Sequence, residues 1–419
     1  MTDRELSGRP IARIHLNGGT LMLSDVLIIG GGFAGVWGAM AAARVRVQND
    51  ADLRITLVTP GDDLVIRPRL YEADPSTLRV ALERVLQPIG VGRLPGIATA
   101  VDTEQGVVSV TRGDGRIEQL GYRRLILASG SALRSPEVPG REHLFDVDTL
   151  SHAVALDTHV RALPARPVRP GRLTAVIIGA GFTGLEVATE MVTRLRTVAG
   201  SDAHEVRVVL VERADMLGPE LGPGPHAVIK KAVEELGIEV HLNAGVAALD
   251  AGHVVLTDGT EIPAHTAVWT AGMSASQLTR QIASRRDRLG RLHVDPYLRV
   301  PESPEVFAAG DTAAALADAA HMTVQSCQHA IPLGRYAGHN AAADLLGRPL
   351  MEFSPADYVT CLDLGEAGAV LTTGWERSVK LTGGKAKDLK RTIVEDRIYP
   401  PLDDPAALLN AGDPEAPWS

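Results

Sequence analysis

The sequence predicts an α/β protein that contains two copies of a strand–helix–strand unit, and three observations lead to this prediction. Two glycine-rich turns, at 30–35 and 179–184, each follow a short apolar run and precede a helical stretch. Aromatic residues make up only 4% of the chain while glycine occurs 42 times, which favours cores of small aliphatic side chains and close backbone approaches. With 419 residues, the chain is also too long for one compact core.

Composition excludes several classes of protein. The net charge of −9 argues against a duplex nucleic-acid partner, because phosphate binding requires positive charge. The two cysteines, Cys327 and Cys361, form no CxxC pair, which excludes a disulfide framework, a dithiol enzyme and a thiolate zinc centre, and no metal site is predicted. A reducing compartment follows. Residues 1–23 lack the apolar stretch of a secretory signal, and Met22 is an alternative start.

An uncharged run at 26–43 has the length of a membrane span. It contains three consecutive glycines at 30–32, and this pattern fits a tight turn better than a spanning helix. We therefore predict a strand, a turn and a helix here rather than a membrane anchor.

The remaining elements follow along the chain. A connection at 161–173 rich in Pro and Arg precedes the second unit, and a hairpin near the C-terminus turns through 365–368. The main predicted strands lie at 25–29, 53–58, 124–128, 174–178, 206–211, 239–242, 253–257, 305–311, 358–364 and 369–375. Predicted helices lie at 36–47, from the second glycine turn to about 198, at 224–236, after 272 and near 384–398, before an acidic tail.

The first glycine turn predicts a dinucleotide-binding site. Gly30, Gly32 and Gly35 form a GxGxxG motif in which the first glycine permits the turn, the second admits a pyrophosphate and the third lets helix and strand pack closely. The pattern also expects an acidic residue at the end of the next strand, to bind a ribose. Thr59 stands there instead, so the first copy departs from the pattern.

The second turn repeats the motif at Gly179, Gly181 and Gly184, and here Glu212 follows the next strand as the pattern expects. A carboxylate at this position would repel a 2′-phosphate, which favours NADH over NADPH. Arg213 is adjacent and could hold that phosphate, so NADPH stays an alternative.

A third strand end carries Gly310 and Asp311. Two dinucleotide-binding units in one chain indicate one site for a flavin and one for a nicotinamide. The Asp311 carboxylate suits hydrogen bonding to the ribityl hydroxyls of a flavin, and the alternative interpretation is a helix N-cap without a ligand.

With these motifs the chain, from about 25 to 401, resembles the flavoproteins with two dinucleotide-binding domains, and most of all the type II NADH dehydrogenases. The resemblance implies two Rossmann-like domains arranged as in glutathione reductase. It implies an FAD-binding domain at 24–140 and 292–350, an NAD(P)H-binding domain at 141–291 and an α+β segment at 351–419 for dimerisation or membrane contact, with a flexible acidic tail. The matching pieces are L-I-I-G-G-G-F-A-G, R-P-R-L-Y at 67–71, L-I-L-A-S-G at 125–130, I-I-G-A-G-F-T-G-L-E at 177–186, A-V-W-T-A-G at 267–272 and F-A-A-G-D at 307–311.

The resemblance also implies site residues. FAD, bound without a covalent link, would lie on the first motif and Asp311, and NADH on the second motif with its nicotinamide over the flavin. Glu186 matches a glutamate near that contact and would have a catalytic or gating role, the alternative being a helix residue favoured by the dipole. Further cofactor contacts are implied at Arg67, Gly130, Gly272 and Gly310.

On the acceptor side the match is weaker. The family motif A-Q-x-A-x-Q-x-G, which places two glutamines beside the flavin, aligns with residues 327–334. Gln328 agrees and is predicted to be catalytic and to contact the cofactor, but Pro332 replaces the second glutamine and offers no side-chain donor. Cys327 replaces the leading alanine, and His329 beside Gln328 could transfer a proton or be structural.

The basic stretch at 380–400 carries Lys and Arg at six positions, with Ala386, Leu389 and Ile393 on one face. This pattern permits an interfacial helix on anionic lipid. Because the apolar face is thin, we favour a helix packed on the domain or on a second copy of the chain.

These observations predict an FAD-dependent NADH dehydrogenase that passes two electrons to a quinone-like acceptor, in the cytoplasm or peripheral at the inner face of the cell membrane. One alternative is a soluble oxidoreductase that acts on a specialised small molecule. A second is a redox-sensing nucleotide-binding protein that alters its dimerisation.

Overall fold

A computed structural model describes residues 13–16 and 19–417 of the chain. Its strands are β1 (Arg13–Leu16), β2 (Gly19–Ile29), β3 (Ile55–Thr59), β4 (Asp63–Val65), β5 (Arg79–Ala81), β6 (Gly92–Pro95), β7 (Ile97–Asp102), β8 (Val107–Thr111), β9 (Ile117–Leu127), β10 (Ser131–Leu133), β11 (Thr174–Ile178), β12 (Arg207–Val211), β13 (Glu239–His241), β14 (Val246–Leu249), β15 (His253–Leu256), β16 (Glu261–Pro263), β17 (Thr266–Trp269), β18 (Met273–Ala275), β19 (Leu292–His293), β20 (Arg299–Val300), β21 (Ser303–Ala308), β22 (Ala313–Ala314), β23 (Val359–Asp363), β24 (Ala369–Thr373) and β25 (Ser378–Thr382). Its α-helices are α1 (Phe33–Gln48), α2 (Glu83–Leu86), α3 (Leu150–Ala162), α4 (Phe182–Ala199), α5 (His226–Glu235), α6 (Cys327–Leu345), α7 (Gly383–Thr392) and α8 (Pro405–Ala411).

The first glycine turn belongs to a large sheet of order β20-β21-β9-β2-β3-β6. The strands β21, β9, β2, β3 and β6 run parallel, while β1, β8 and β20 pair antiparallel with their neighbours. The C-terminal ends of β2, at 26–29, and of β9, at 125–127, are apolar and buried, as expected for parallel strands covered on both faces. The carboxyl ends of β2, β9 and β21 therefore meet at one edge, beside the first glycine turn.

The second unit contains a parallel sheet of order β13-β12-β11-β17, with the antiparallel strands β14, β15 and β16 as a separate small sheet. Helix α4 follows β11 and the second glycine turn as α1 follows β2 and the first. The predicted α/β class and the duplication of the strand–helix–strand unit are thus confirmed.

The C-terminal part forms an antiparallel sheet of β23, β24 and β25, followed by α7 and a π-helical turn at Ile393–Arg397. The predicted hairpin is confirmed and gains a third strand. Beyond it, α8 packs on α1, where a Cβ at Gly412 would collide with the backbone at Met40, and Arg44 pairs with Asp413 at 2.6 Å. Residues 405–413 are therefore packed on α1.

Two element predictions need correction. The stretch after 272 forms β18 and a short 3-10 helix at Gln277–Gln281 instead of an α-helix, because β18 pairs with β10 of the first unit. The connection at 161–173 is not solvated throughout. Arg172 is buried and pairs with Asp202 at 2.7 Å, which a Pro- and Arg-rich composition does not reveal.

Helices α1 and α6 cross at very short range. A Cβ at Gly334 would collide with the carbonyl group of Ala34, and a Cβ at Gly338 would collide with that of Gly38. Because the two backbones are in contact, neither helix can shift to accept a side chain there. This contact fixes the N-terminus of α6 against the first glycine turn.

We expect Gly338→Ala to lower the free energy of unfolding by about 1–3 kcal/mol, since the added methyl group overpacks the crossing. The measurement is urea denaturation followed by circular dichroism. The matched control is Gly384→Ala in α7, where nothing lies within 4 Å of the added Cβ. Equal stability of the two variants would contradict this account of the crossing.

Candidate active site

One large cleft, of about 2060 Å³, joins the two units and the C-terminal sheet. Both glycine turns line it, together with the ends of β3, β9 and β17 and the N-termini of α4 and α6. Among the predicted site residues, those that line this cleft are Gly32, Arg67, Gly130, Gly179, Gly181, Glu186, Glu212, Gly272, Gly310, Asp311 and Gln328. The two glycine turns thus lie at the two ends of this cleft.

The first glycine turn has the shape that the motif requires. Gly30 has a φ of +116°, and a Cβ at Gly35 would collide with the carbonyl oxygen of Gly30. Nothing lies within 4 Å of a Cβ placed at Gly32, directly before the first residue of α1. The amide end of the helix therefore faces open space of the kind that a pyrophosphate fills.

Polar groups surround the rest of this end of the cleft. Thr59 is buried at the end of β3 and lies against Gly31. The Asp311 carboxylate accepts a hydrogen bond from Ser131 Oγ at 2.5 Å and lies 3.5 Å from Arg67 Nη1. Arg67 also pairs with Asp148, so its guanidinium is held at the cleft wall. These donors and acceptors fit the hydroxyl-rich chain of a flavin nucleotide.

The second glycine turn has the same backbone but different surroundings. Gly179 has a φ of +102°, and a Cβ at Gly184 would collide with the carbonyl oxygen of Gly179. The carboxylate of Glu212 accepts hydrogen bonds from the backbone amides of Ala180, at 2.7 Å, and Ala214, at 2.8 Å. It is therefore fixed beside the turn, where the motif expects a ribose-binding acid.

Glu186 is a buried residue of α4 that lines the cleft, and it has a partner that sequence reasoning missed. Lys390 Nζ donates to Glu186 Oε1 at 2.7 Å and to the Cys361 carbonyl oxygen at 3.0 Å. Both side chains are at most 7% exposed. Helix α7 packs on the domain, as favoured from the sequence, and Ala386, Lys390 and Val394 share its buried face, so Lys390 faces neither solvent nor lipid.

The pair has unusual protonation behaviour. Burial raises the pKa of Glu186 from 4.5 to about 7, against the opposing charge of Lys390. Burial alone would lower the pKa of Lys390. The charge of Glu186 and its hydrogen bond have the larger combined effect, so the pKa of Lys390 is raised. A carboxyl group with a pKa near 7 in a cleft can both accept and release a proton near neutral pH.

A second set of polar groups extends from this pair. The backbone amide of Asp363 donates to Glu186 Oε1 at 3.1 Å, and its carboxylate accepts from Lys387 Nζ at 2.5 Å and from the Tyr71 hydroxyl at 3.1 Å. Burial raises the pKa of Tyr71 well above its usual value, so this phenol stays protonated. The network connects Glu186 to α7 at the outside of the molecule.

The N-terminus of α6 carries the residues predicted for the acceptor side. Gln328 lines the cleft, and its Nε2 donates to the Asp357 carbonyl oxygen at 3.2 Å. Pro332 is buried inside α6 and is absent from the cleft wall. Burial raises the pKa of Cys327 to about 11 and lowers that of His329 to about 4. At neutral pH, Cys327 is therefore a thiol and His329 a neutral ring.

Comparison with known proteins agrees with this geometry. A family model described as pyridine nucleotide-disulphide oxidoreductase matches residues 24–334, which is most of the chain. The chain belongs to this family. It is an NAD(P)H oxidoreductase, and the resemblance to type II NADH dehydrogenases is confirmed by the relatives that follow.

An NADH dehydrogenase-like protein of Mycobacterium tuberculosis is 44% identical over 400 residues, covering 94% of this chain and 98% of the relative. A type II NADH:quinone oxidoreductase of the same organism is 32% identical over 325 residues, covering 68% of this chain and 65% of the relative. The structure of NDH2 from Plasmodium falciparum in complex with NADH has a TM-score of 0.74 at 13% identity, covering 88% of this chain and 94% of that one. This last similarity shows the shared fold.

Within residues 13–16 and 19–417, no helix has the length and apolar character needed to cross a bilayer. The uncharged run at 26–43 forms the end of β2, the glycine turn and the start of α1, as its three consecutive glycines predict.

Proposed function

We propose that the chain is a flavin-dependent NADH dehydrogenase that holds FAD at the first glycine turn and NADH at the second, and reduces a quinone. The observation that supports this proposal most is the single cleft that joins both turns and ends at the buried Glu186 and Lys390 pair. The quinone oxidoreductases among its relatives support the acceptor class.

The residues at the first turn would hold the flavin nucleotide. The open space at Gly32 would take the pyrophosphate, Thr59 would contact the ribose, and Asp311 would accept hydrogen bonds from the ribityl hydroxyls. Bound FAD would supply the two-electron chemistry, by taking hydride from NADH and reducing the second substrate. Arg67 and Ser131 would keep the Asp311 carboxylate in place.

Proton transfer would be the task of the chain itself. The reaction oxidises NADH to NAD⁺ and reduces a quinone to a quinol, which requires one proton besides the hydride. Glu186 would hold that proton on Oε2, because Oε1 accepts from Lys390 Nζ and from the Asp363 amide, and Lys390 would stabilise the carboxylate once the proton has left. Glu186 and Lys390 both line the cleft, so a proton from solvent would return to Glu186 through the cleft.

One observation favours a different acceptor. The cleft wall at α6 presents the side chain of Gln328, whereas Pro332 presents none where the family pattern has a second glutamine. A quinone ring would therefore have one amide partner fewer than in the family pattern. A specialised small molecule is the alternative acceptor, and a reduced flavin that persists with quinones would favour it.

The proposal is tested on purified protein in three steps. The protein should be yellow, release FAD on denaturation, and lose its flavin absorbance when NADH is added without oxygen. Menadione and a short-chain ubiquinone should then restore the absorbance rapidly. A colourless protein that takes up no FAD would refute the flavin site, and a reduced flavin that persists with both quinones would refute the quinone acceptor.

The outward face of α7 carries Lys385 and Arg391, diluted by Asp388. With Lys390 buried, fewer cations face outward than the sequence suggests. Peripheral membrane contact and dimerisation stay predictions. Sedimentation with vesicles that contain anionic lipid, and light scattering of the free protein, would test them separately.

A further inference from the structure

The segment 217–224, Leu-Gly-Pro-Glu-Leu-Gly-Pro-Gly, lies over the second glycine turn and lines the cleft there. Its centre is a short 3-10 helix at Pro219–Leu221, flanked by Gly218 with a φ of +61° and Gly222 with a φ of +65°. These two glycines adopt backbone angles that other residues rarely take. Glu220 stands between them.

The side chain of Glu220 reaches into the phosphate position of the turn. Its Oε1 accepts a hydrogen bond from the backbone amide of Phe182, the first residue of α4, at 2.8 Å. A Cβ placed at Gly181 would lie 2.5 Å from the same oxygen. The carboxylate thus fills the space that the second glycine of the motif leaves open, and it offers the negative charge that a helix N-terminus favours.

The first glycine turn provides an internal comparison. Gly32 occupies the same place in the motif as Gly181, and nothing lies within 4 Å of its added Cβ. The two turns have matching backbones, with positive φ at Gly30 and Gly179. The occupied position at the second turn is therefore a property of segment 217–224 and not of the motif.

Two contacts position the segment, and one group could receive the carboxylate if it moved. Gly218 N donates to the Ala180 carbonyl oxygen at 2.9 Å, and Arg377 Nη2 donates to the Glu220 backbone carbonyl at 3.4 Å. Arg377 Nη1 is buried and has no hydrogen-bond partner in the described part of the chain. A guanidinium nitrogen beside the segment is thus available to a displaced carboxylate.

We propose that Glu220 is an internal occupant of the second phosphate position, and that the incoming nicotinamide dinucleotide must displace it, with the carboxylate moving toward Arg377. This inference rests on the proposed NADH site. The measured affinity for NADH is then the intrinsic affinity reduced by the fraction of molecules in which the position is free. Segment 217–224 would set how readily the enzyme takes up its electron donor.

The test uses the flavin-loaded full chain and two probes, NADH and ADP-ribose, which carries the same pyrophosphate but donates no hydride. The competing hydrogen bond joins the Glu220 carboxylate to the Phe182 amide, and its loss should raise the affinity for either probe about tenfold. We expect Glu220→Ala to lower the dissociation constant for ADP-ribose by about this factor, and Glu220→Gln to lie between it and the parent protein. Calorimetric titration measures both, and circular dichroism checks folding.

The control is Glu376→Ala, which removes an exposed carboxylate from a residue whose carbonyl oxygen lies beside Gly224, without touching Gly181. If Glu376→Ala raised the affinity for ADP-ribose as much as Glu220→Ala does, the net charge alone would explain the effect, and the inference would be overturned. Unchanged affinity in both Glu220 variants would overturn it as well, while the NADH site stands. If no protein binds either probe, the proposed NADH site and this inference both fail. If Glu220→Ala does not fold, Glu220→Gln decides.

Discussion

A variant with methionine at position 390 will lose about 3–5 kcal/mol of unfolding free energy at about pH 9 and much less at about pH 6. Lys390 Nζ lies 2.7 Å from Glu186 Oε1, and both side chains are at most 7% exposed, so Glu186 has little contact with water when the ammonium is removed. Breaking a buried ion pair from one side is costly because the remaining charge has neither water nor a partner.

The sign of the pH dependence follows from Glu186. Its pKa in the folded protein is about 7, above the usual 4.5, so the folded state retains a proton that the unfolded state releases. The stability linked to this proton is complete below about pH 4.5 and is lost as the pH rises through the folded pKa. Without the opposing charge of Lys390 the pKa of Glu186 rises further, so the loss continues to higher pH.

Urea denaturation at the two pH values measures this effect. The matched control is Lys385→Met on the exposed face of α7, expected to change stability by less than about 0.5 kcal/mol. The double variant Glu186→Gln with Lys390→Met should recover most of the loss, because both charges are then gone. A Lys390→Met variant as stable at high pH as the parent would show that the pair is not a buried ion pair.

Turnover provides a second readout of the same variant. If Glu186 transfers the proton in quinone reduction, Lys390→Met should lower kcat about a hundredfold with little change in the KM for NADH. The optimum should also move to higher pH, following the pKa of Glu186. If Glu186 and Lys390 had only a structural role, Lys390→Met would reduce the amount of folded enzyme but leave the pH profile of kcat unchanged.

Replacing Asp311 by alanine will yield a protein that folds but purifies with little flavin. The Asp311 carboxylate faces the cleft, accepts a hydrogen bond from Ser131 and pairs with Arg67, and Arg67 keeps its pairing with Asp148. Two hydrogen bonds from hydroxyls to a carboxylate are worth about 1.5–3 kcal/mol each, so the loss corresponds to about 10²- to 10⁴-fold in the dissociation constant for FAD.

Reconstitution of the flavin-free protein with FAD, followed by fluorescence quenching, measures this constant. Adding FAD should raise the Tm of the parent and leave that of Asp311→Ala nearly unchanged, because a ligand stabilises only a protein that binds it. The control is Asp62→Ala, which removes an exposed carboxylate near the same end of the cleft but outside its wall. Parent-like affinity in Asp311→Ala would contradict the assigned position of the flavin chain.

The strand–turn–helix units were predictable because their signals are local. An apolar run followed by Gly30 or Gly179 specifies a buried strand and a turn with positive φ, whatever the rest of the chain does. The C-terminal hairpin was predictable for the same reason. The stretch after 272 was not, since its strand β18 exists by pairing with β10, more than a hundred residues earlier in the chain.

Lys390 shows where sequence reasoning reached its limit. Among the six basic positions at 380–400 it has nothing unusual in type or spacing, and its charge suggested solvent or lipid. One signal was present, because Lys390 lies four residues after Ala386 and four before Val394, on what proves to be the buried face. That pattern could have indicated a buried lysine but not its partner on α4.

The amino-acid order alone thus predicted the α/β class, the two glycine turns and the acids at Glu212 and Asp311, because backbone preference and strand ends depend on neighbouring residues. The family resemblance added Glu186 as a candidate. Three other features depended on folding of the whole chain. Glu186 pairs with Lys390, the Glu220 carboxylate lies against Gly181, and Pro332 is absent from the cleft wall. Each of these features results from packing between elements that are distant in the chain. A short stretch of sequence does not contain both partners of such a contact, so it cannot predict the contact.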